Sequence, residues 1–315
     1  MRVEDIRRIA VVGAGTMGHG LAQEFAVAGY EVSLVDVDEP RLAAAMRSIA
    51  GNLEMLVGLG LLSHEQAEPA PARIHPTTSL AEAAADADYV VEAVFENLPL
   101  KQQIFRQLDE VCPPRTILAS NTSALLPSGL AAVTSRPDRV VVTHYFNPPY
   151  LLPLVEIVRA PTTSDETVAT VRALLTGIGK QTAVLQKETE GFIANRLQCA
   201  LFREALSIVE HGIASPQEVD VVVRSSIGRR WAVAGPFEIF DAGGHDTVLT
   251  VLANLGPLLE SSGEPQQIYR DMVARGDVGL KSGKGFYAWT PESAQAYYDR
   301  MAEALSALAR LSAGR

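Results

Sequence analysis

The stretch from Arg8 to Asp36, RIAVVGAGTMGHGLAQEFAVAGYEVSLVD, constrains this chain more than any other. An apolar run, Ile9 to Val12, leads into Gly13-Ala14-Gly15-Thr16-Met17-Gly18. Leu21, Phe25 and Ala28 continue at helical spacing, and Gly29 to Asp36 reads as a second short strand. Strand, glycine turn, helix and strand within about thirty residues form the setting that a dinucleotide-binding turn requires. Gly13 permits the tight turn, Gly15 lets the backbone approach a pyrophosphate, and Gly18 lets the helix pack close to the strand. The free N–H groups and positive end of that helix then face the phosphates. Asp36 stands eighteen residues after Gly18, at the strand end, where a carboxylate accepts hydrogen bonds from a ribose diol. Together with Asp38 and Glu39 it would repel a 2′-phosphate, so the expected cofactor is NAD rather than NADP. A protein using these glycines only for close packing would leave Asp36 unexplained.

A chain of 315 residues suggests about two domains, each large enough for its own core. A formal net charge of −10 argues against nucleic acid and against an anionic membrane surface as partners. No apolar run approaches the ~20 residues of a membrane span, and no secretory apolar region precedes the first strand. Cys112 and Cys199 stand in unrelated segments, which indicates neither a disulfide framework nor a metal site and fits a reducing cytoplasm.

Beyond Asp36, Arg41 to Leu62 reads as a long helix, with Pro40 just before it, and Ser63 to Thr78 as a loop or partly helical excursion. Tyr89–Val94, Thr116–Ala119, Val140–His144, Leu154–Val158 and Thr182–Leu185 read as buried strands. Helices are expected over Leu100–Val111 and Ser164–Gly177. The character changes near Lys187. From Phe192 on, apolar residues recur at helical spacing up to Gly212, and Ser215-Pro216-Gln217-Glu218 opens a further helix. Only Gly285–Ala288 suggests a short strand after that, and Thr290-Pro291 starts a terminal helix with Tyr297, Met301, Leu305 and Leu308 on one face. The expected architecture is an α/β, doubly wound, mostly parallel Rossmann-type domain over residues 1–187, followed by an all-α domain over 188–315.

Dehydrogenation of an alcohol by a nicotinamide needs a base near the hydroxyl, and histidine suits that work near neutral pH. His144 ends an inner strand, on the edge where ligands bind in a doubly wound sheet. Glu156, on the neighbouring strand, is placed to fix the imidazole tautomer. Ser123 and Asn195 can hydrogen-bond a substrate oxygen. Each also has a bland reading: a structural histidine at a strand end, a solvated glutamate, a serine helix cap, a turn asparagine. Periodicity alone does not select these four.

GAGTMG, VEAVFENLPLK, SNTS, HYFNPP, LVEIV, GFIANR, GPFEIFD and GLKSGKGFY occur in this order over nearly the whole chain. Together they resemble the 3-hydroxyacyl-CoA dehydrogenase family. The resemblance implies a Rossmann-type NAD domain, a helical domain that forms a homodimer, and oxidation of an L-3-hydroxy group to a ketone. It makes His144 the general base and Glu156 its orienting partner, with Ser123 and Asn195 binding the reacting oxygen. It also implies that Glu96, Lys101, Asn147 and Lys281 line the NAD site, beside Gly13 to Gly18 and Asp36.

The substrate reading departs from the acyl-CoA members. Their helix after the ribose-binding acid carries lysines for coenzyme A phosphates, whereas this chain has Asn52, Glu54 and Leu59 on that face and no lysine between Val37 and Lys101. Before GPFEIFD it has Gly228-Arg229-Arg230-Trp231-Ala232-Val233-Ala234, similar to the branch that acts on small free hydroxy acids, such as L-gulonate 3-dehydrogenase, lambda-crystallin and carnitine 3-dehydrogenase. Arg230, with Arg229 beside it, is therefore the candidate for holding a substrate carboxylate, against the reading of a solvated or structural pair. The expected activity is NAD-dependent oxidation of a small L-3-hydroxy acid. The alternatives are a 3-hydroxyacyl-CoA or carrier-bound acyl substrate, favoured by the kept GLKSGKGFYAW run, and a non-catalytic NAD-binding, crystallin-like protein.

Overall fold

In the computed structural model, which describes residues 2–313, the glycine turn links β1 (Arg8–Val12) to α1 (Gly18–Val27), and β2 (Glu31–Val35) follows. The next helices are α2 (Glu39–Gly58) and the one-turn α3 (His64–Ala67), before β3 (Ile74–Thr77) and α4 (Leu80–Ala84). Then come β4 (Tyr89–Glu92), α5 (Leu98–Val111), β5 (Ile117–Ser120), α6 (Pro127–Ala131), β6 (Val140–Tyr145), β7 (Leu154–Arg159), α7 (Asp165–Gly177) and β8 (Gln181–Leu185). The strands form one sheet in the order β3-β2-β1-β4-β5-β6-β7-β8. β1 to β6 run parallel, and β7 turns back antiparallel to β6 with β8 parallel to it. The strand order reverses between β1 and β4, the crevice at which such sheets bind dinucleotides.

The doubly wound fold expected from sequence is thus present, with local differences. β3 fell inside the segment read as a loop. Pro76 interrupts its short run, and proline is tolerated in a strand only where no ladder donor is needed, as at a sheet edge. α2 begins two residues before Arg41, because the Asp38 side chain caps it by accepting the Arg41 N–H at 2.9 Å, with Pro40 inside the first turn. The helix stops at Gly58 rather than Leu62. The central strands are apolar and buried on both faces, as helices on each side require.

By contact, the chain falls into two compact units: one runs up to Ile193 and includes the residues from Leu305 on, and the other is Ala194–Ala304. Phe192 is fully buried and clusters with Val142, Val158 and Leu185 of the sheet, which explains why the first unit extends past Lys187. The second unit contains α8 (Ala194–Glu210), α9 (Pro216–Val222), α10 (Gly228–Trp231), α11 (Pro236–Gly243), α12 (His245–Leu255) and α13 (Gln267–Ala274). The Gly285–Ala288 segment is no strand: it makes only isolated bridges, Gly279 with Lys284 and Lys284 with Ala288. α14 (Pro291–Ala313) is the terminal helix, and its last turns belong to the first unit, where the Arg310 guanidinium donates to the Leu59 carbonyl at 2.7 Å. Among the described residues no helix is long and apolar enough to cross a membrane, and no cluster of His, Cys, Asp or Glu could hold a metal ion. Cys112 and Cys199 are both free, and burial pushes the Cys112 thiol up to about 11, so it stays protonated and inert.

Candidate active site

At the carboxyl edge of the sheet the glycine turn forms as its sequence demands. Gly13 adopts φ +104°, and a Cβ at Gly18 would fall 1.6 Å from the Gly13 carbonyl oxygen, so neither position accepts a side chain. A Cβ at Gly15 would meet nothing within 4 Å, which leaves its backbone open to a ligand. The Ala14 N–H donates to Asp36 Oδ2 at 2.8 Å and the Val37 N–H to Oδ1 at 2.7 Å, holding the carboxylate over the turn. Arg41 approaches both Asp36 (3.7 Å) and Asp38 (3.2 Å). A cleft of about 660 Å³ opens here, lined by Gly13, Gly15, Thr16, Met17, Asp36 and Arg41 among others. Its volume lies within the range of small-molecule and cofactor sites, and its bare glycine backbone and the Asp36 carboxylate beside it fit a dinucleotide.

His144 lies in the last turn of the pleat of β6, on the same edge. The antiparallel register sets it directly opposite Glu156 of β7, so both side chains share one face. His144 Nδ1 and Glu156 Oε2 are 2.8 Å apart, with His144 4% exposed and Glu156 fully buried. A carboxylate only accepts, so the Nδ1–H donates and Nε2 keeps its lone pair. The other Glu156 oxygen, Oε1, accepts the Ile193 N–H at 2.9 Å. Phe146 and Phe192 flank the imidazole at ring-centre distances of 4.5 and 5.4 Å. Phe192 adopts φ +49°, a left-handed conformation that costs a non-glycine residue about 1–3 kcal/mol. That backbone puts one aromatic face on the imidazole and the next N–H on its carboxylate. Neither Phe192 nor Ile193 was among the residues expected from sequence.

A second buried group ties β4, β5 and α5 together. Glu92, fully buried at the end of β4, accepts the Lys101 ammonium at 2.7 Å, the Ser120 hydroxyl at 2.7 Å and the Val94 N–H at 2.7 Å. Lys101 also donates to the Val94 carbonyl at 3.2 Å and approaches Glu96 Oε2 at 3.4 Å. Glu96 Oε1 accepts the Thr122 hydroxyl and the N–H groups of Ser123 and Ala124, each N–H at 3.1 Å. Asn121 accepts the Tyr145 N–H at 2.9 Å, which links the Ser123 loop to the strand of His144. The first unit therefore carries Gly13 to Gly18, Asp36, Glu96, Lys101, Ser123, His144, Asn147 and Glu156; Ser123 and Asn147 are exposed, whereas Lys101 is sealed in its ion pair. Asn195, in the first turn of α8, and the exposed Arg230 and Lys281 stand on the second unit.

Residues 8–189 match the model of the 3-hydroxyacyl-CoA dehydrogenase NAD binding domain, and residues 191–289 that of the 3-hydroxyacyl-CoA dehydrogenase C-terminal domain. The chain belongs to the 3-hydroxyacyl-CoA dehydrogenase family. Like the family's NAD binding domain, it uses NAD, and it is an oxidoreductase. It is 34% identical over 312 residues to a 5-formyl-3-hydroxy-2-methylpyridine 4-carboxylate 5-dehydrogenase of Mesorhizobium japonicum, covering 98% of this chain and 99% of that one. It is 39% identical over 259 residues to an L-carnitine dehydrogenase of Streptomyces griseus, covering 82% and 76%. Among solved structures, a 5-formyl-3-hydroxy-2-methylpyridine 4-carboxylic acid 5-dehydrogenase, described as an NAD+ dependent dismutase, superposes with a TM-score of 0.91 at 34% identity over 98% of this chain and 99% of the other. A (S)-3-hydroxybutyryl-CoA dehydrogenase from Ralstonia eutropha gives 0.75 at 37% identity, over 90% and 99%. Members of this family thus share the NAD fold and differ in substrate.

Proposed function

We propose that this enzyme oxidises the L-3-hydroxy group of a small free hydroxy acid, with His144 as the general base. The observation that carries the reading is the His144–Glu156 pair: a buried carboxylate holds Nδ1–H and leaves Nε2 to receive the hydroxyl proton. As the proton arrives, Glu156 stabilises the imidazolium without itself taking the proton, while the Ile193 N–H holds its second oxygen in place. Ser123 binds the reacting oxygen. Gly13 to Gly18 and Asp36 hold the pyrophosphate and adenosine ribose, Asn147 and Glu96 complete the first unit's part of the cofactor site, and Lys101 acts through its ion pair with Glu96. NAD, when bound, accepts the hydride.

Three features support a free acid over a coenzyme A thioester. One relative, matched over 99% of its length, is named for a pyridine carboxylate, and another is named for carnitine. No lysine lies between Val37 and Lys101 to meet several phosphate charges. Arg229 and Arg230 are exposed on α10, which follows a π-helical turn, Val223–Ile227, of the kind found at functional sites. The test is a panel of L-gulonate, L-carnitine, free 3-hydroxybutyrate and 3-hydroxybutyryl-CoA, followed by NAD+ reduction. A free acid should give the highest kcat/KM, and a strong preference for the thioester would overturn the choice. Arg230→Ala should raise KM for that acid about tenfold or more, the weight of a charged hydrogen bond of about 1.5–3 kcal/mol, and change KM for the thioester far less.

The second unit buries few of its own apolar side chains: Val222, Phe237, Leu249, Leu252 and Leu258 are all more than half exposed. Apolar surface on this scale is the mark of a protein interface, and a second copy of this chain is the proposed occupant. Light scattering should give a mass near twice 33.8 kDa; a monomer at micromolar concentration would remove the homodimer from the proposal.

A further inference from the structure

One buried ion pair lies outside the site residues named so far. Lys180, just before β8 and 7% exposed, pairs with Glu24 of α1. Its ammonium also donates to the Pro149 carbonyl at 2.6 Å. Pro149 is buried in the turn that leaves β6, five residues after His144. The same proline meets α1 at Gly20, where a Cβ would lie only 2.6 Å from Pro149 Cγ. The turn is therefore tied to α1 twice, by packing at Gly20 and through Lys180 to Glu24. Burial pushes the Glu24 carboxyl above its usual range, against the pull of Lys180, so the pair is expensive to keep. A buried pair of this kind adds little net stability over apolar replacements of the same volume. What it supplies here is a fixed position for one carbonyl.

With Asp36 on the ribose at the end of β2, the adenosine half of a dinucleotide would lie over β1 to β3. The nicotinamide half would then lie over β4 to β6, at the turn that Asn147 opens. We propose that Lys180 and Glu24 are positioning residues that hold the Asn147–Pro149 turn against α1, so that the nicotinamide end of NAD meets a preset wall near His144. This rests on the proposed function, in which the alcohol that gives its proton to His144 gives its hydride to the nicotinamide beside it. It predicts an effect on one half of the cofactor only, which a merely structural role would not produce.

The experiment compares NADH with ADP-ribose, which lacks the nicotinamide, in fluorescence and calorimetric titrations of the full-length protein. For Lys180→Met, NADH should bind about tenfold or more weakly while ADP-ribose stays within about twofold, since misplacing a positioning group by an ångström is costly at the affected end alone. The double variant Glu24→Gln/Lys180→Met, which buries no unpaired charge, should show the same split and stands in if Lys180→Met fails to fold. Unchanged NADH binding, or equal weakening of both ligands, would overturn the proposal. Neither result depends on which acid is the substrate or on the role of His144 as base, both of which turnover assays decide separately.

Discussion

His144→Ala is expected to lower kcat for the preferred hydroxy acid by about 10²–10⁴, the usual worth of a positioned general base, with NADH affinity close to that of the unaltered enzyme. The two halves of this expectation come from separate parts of the structure. The proposed base is held by β6 and β7, where the register alone sets His144 opposite Glu156 and the 2.8 Å contact fixes Nδ1 as the protonated nitrogen. The cofactor cradle is built from the turn after β1 and from Asp36 after β2, and neither element borrows a group from His144. Removing the imidazole therefore removes the proposed proton acceptor and leaves the proposed phosphate and ribose cradle intact. Steady-state turnover and an NADH titration on the same preparation check both halves. A variant that keeps its full rate would take His144 out of the mechanism. One that loses NADH binding to the same degree as turnover would make it part of the cofactor wall instead.

How much of this was open to sequence reading depends on the range of the physics involved. The glycine turn was legible because its requirements are local: two strands, a helix start and an acid fall within one βαβ unit. Glu156 was assigned its role through the family resemblance, although it also carries a residue-level signal, a charge inside the apolar run LVEIV, where an unpaired carboxylate would be costly. Glu92 in YVVEAV carries the same signal and was passed over, since its partner Lys101 lies on α5 rather than on the next strand. Lys180 and Glu24 offer no signal of that kind. They are far apart in sequence and meet only in the folded chain. The strained backbone at Phe192 is likewise set by its packing on His144 and by the hydrogen bond to Glu156, not by residue type. β3 escaped because its proline reads as a loop residue, and only its place at the sheet edge makes it acceptable as a strand.

Lys101→Met is expected to lower the free energy of unfolding by about 3–5 kcal/mol, the cost of stranding one member of a buried ion pair. Lys101 is 1% exposed, and Glu92, its closest partner, is fully buried. Without the ammonium, Glu92 keeps only the Val94 N–H and the Ser120 hydroxyl as donors, too little to hold a carboxylate charge away from water. Glu96 loses its cation at the same time, and the Ser123 loop that hangs from Glu96 Oε1 loses part of its anchorage. Urea unfolding reads the loss as a lower midpoint at an unchanged slope. Adding Glu92→Gln to Lys101→Met should restore a substantial part of it, because the glutamine removes the stranded charge while keeping the acceptor. A single variant within about 0.5 kcal/mol of the parent, but with weakened NADH binding, would assign Lys101 to the cofactor alone. A loss in both measurements, partly recovered in stability but not in affinity by the double variant, would show the pair serving the sheet and the site together. That is the outcome the geometry favours, since the same ammonium reaches the buried end of β4 and, through Glu96, the loop that carries Ser123.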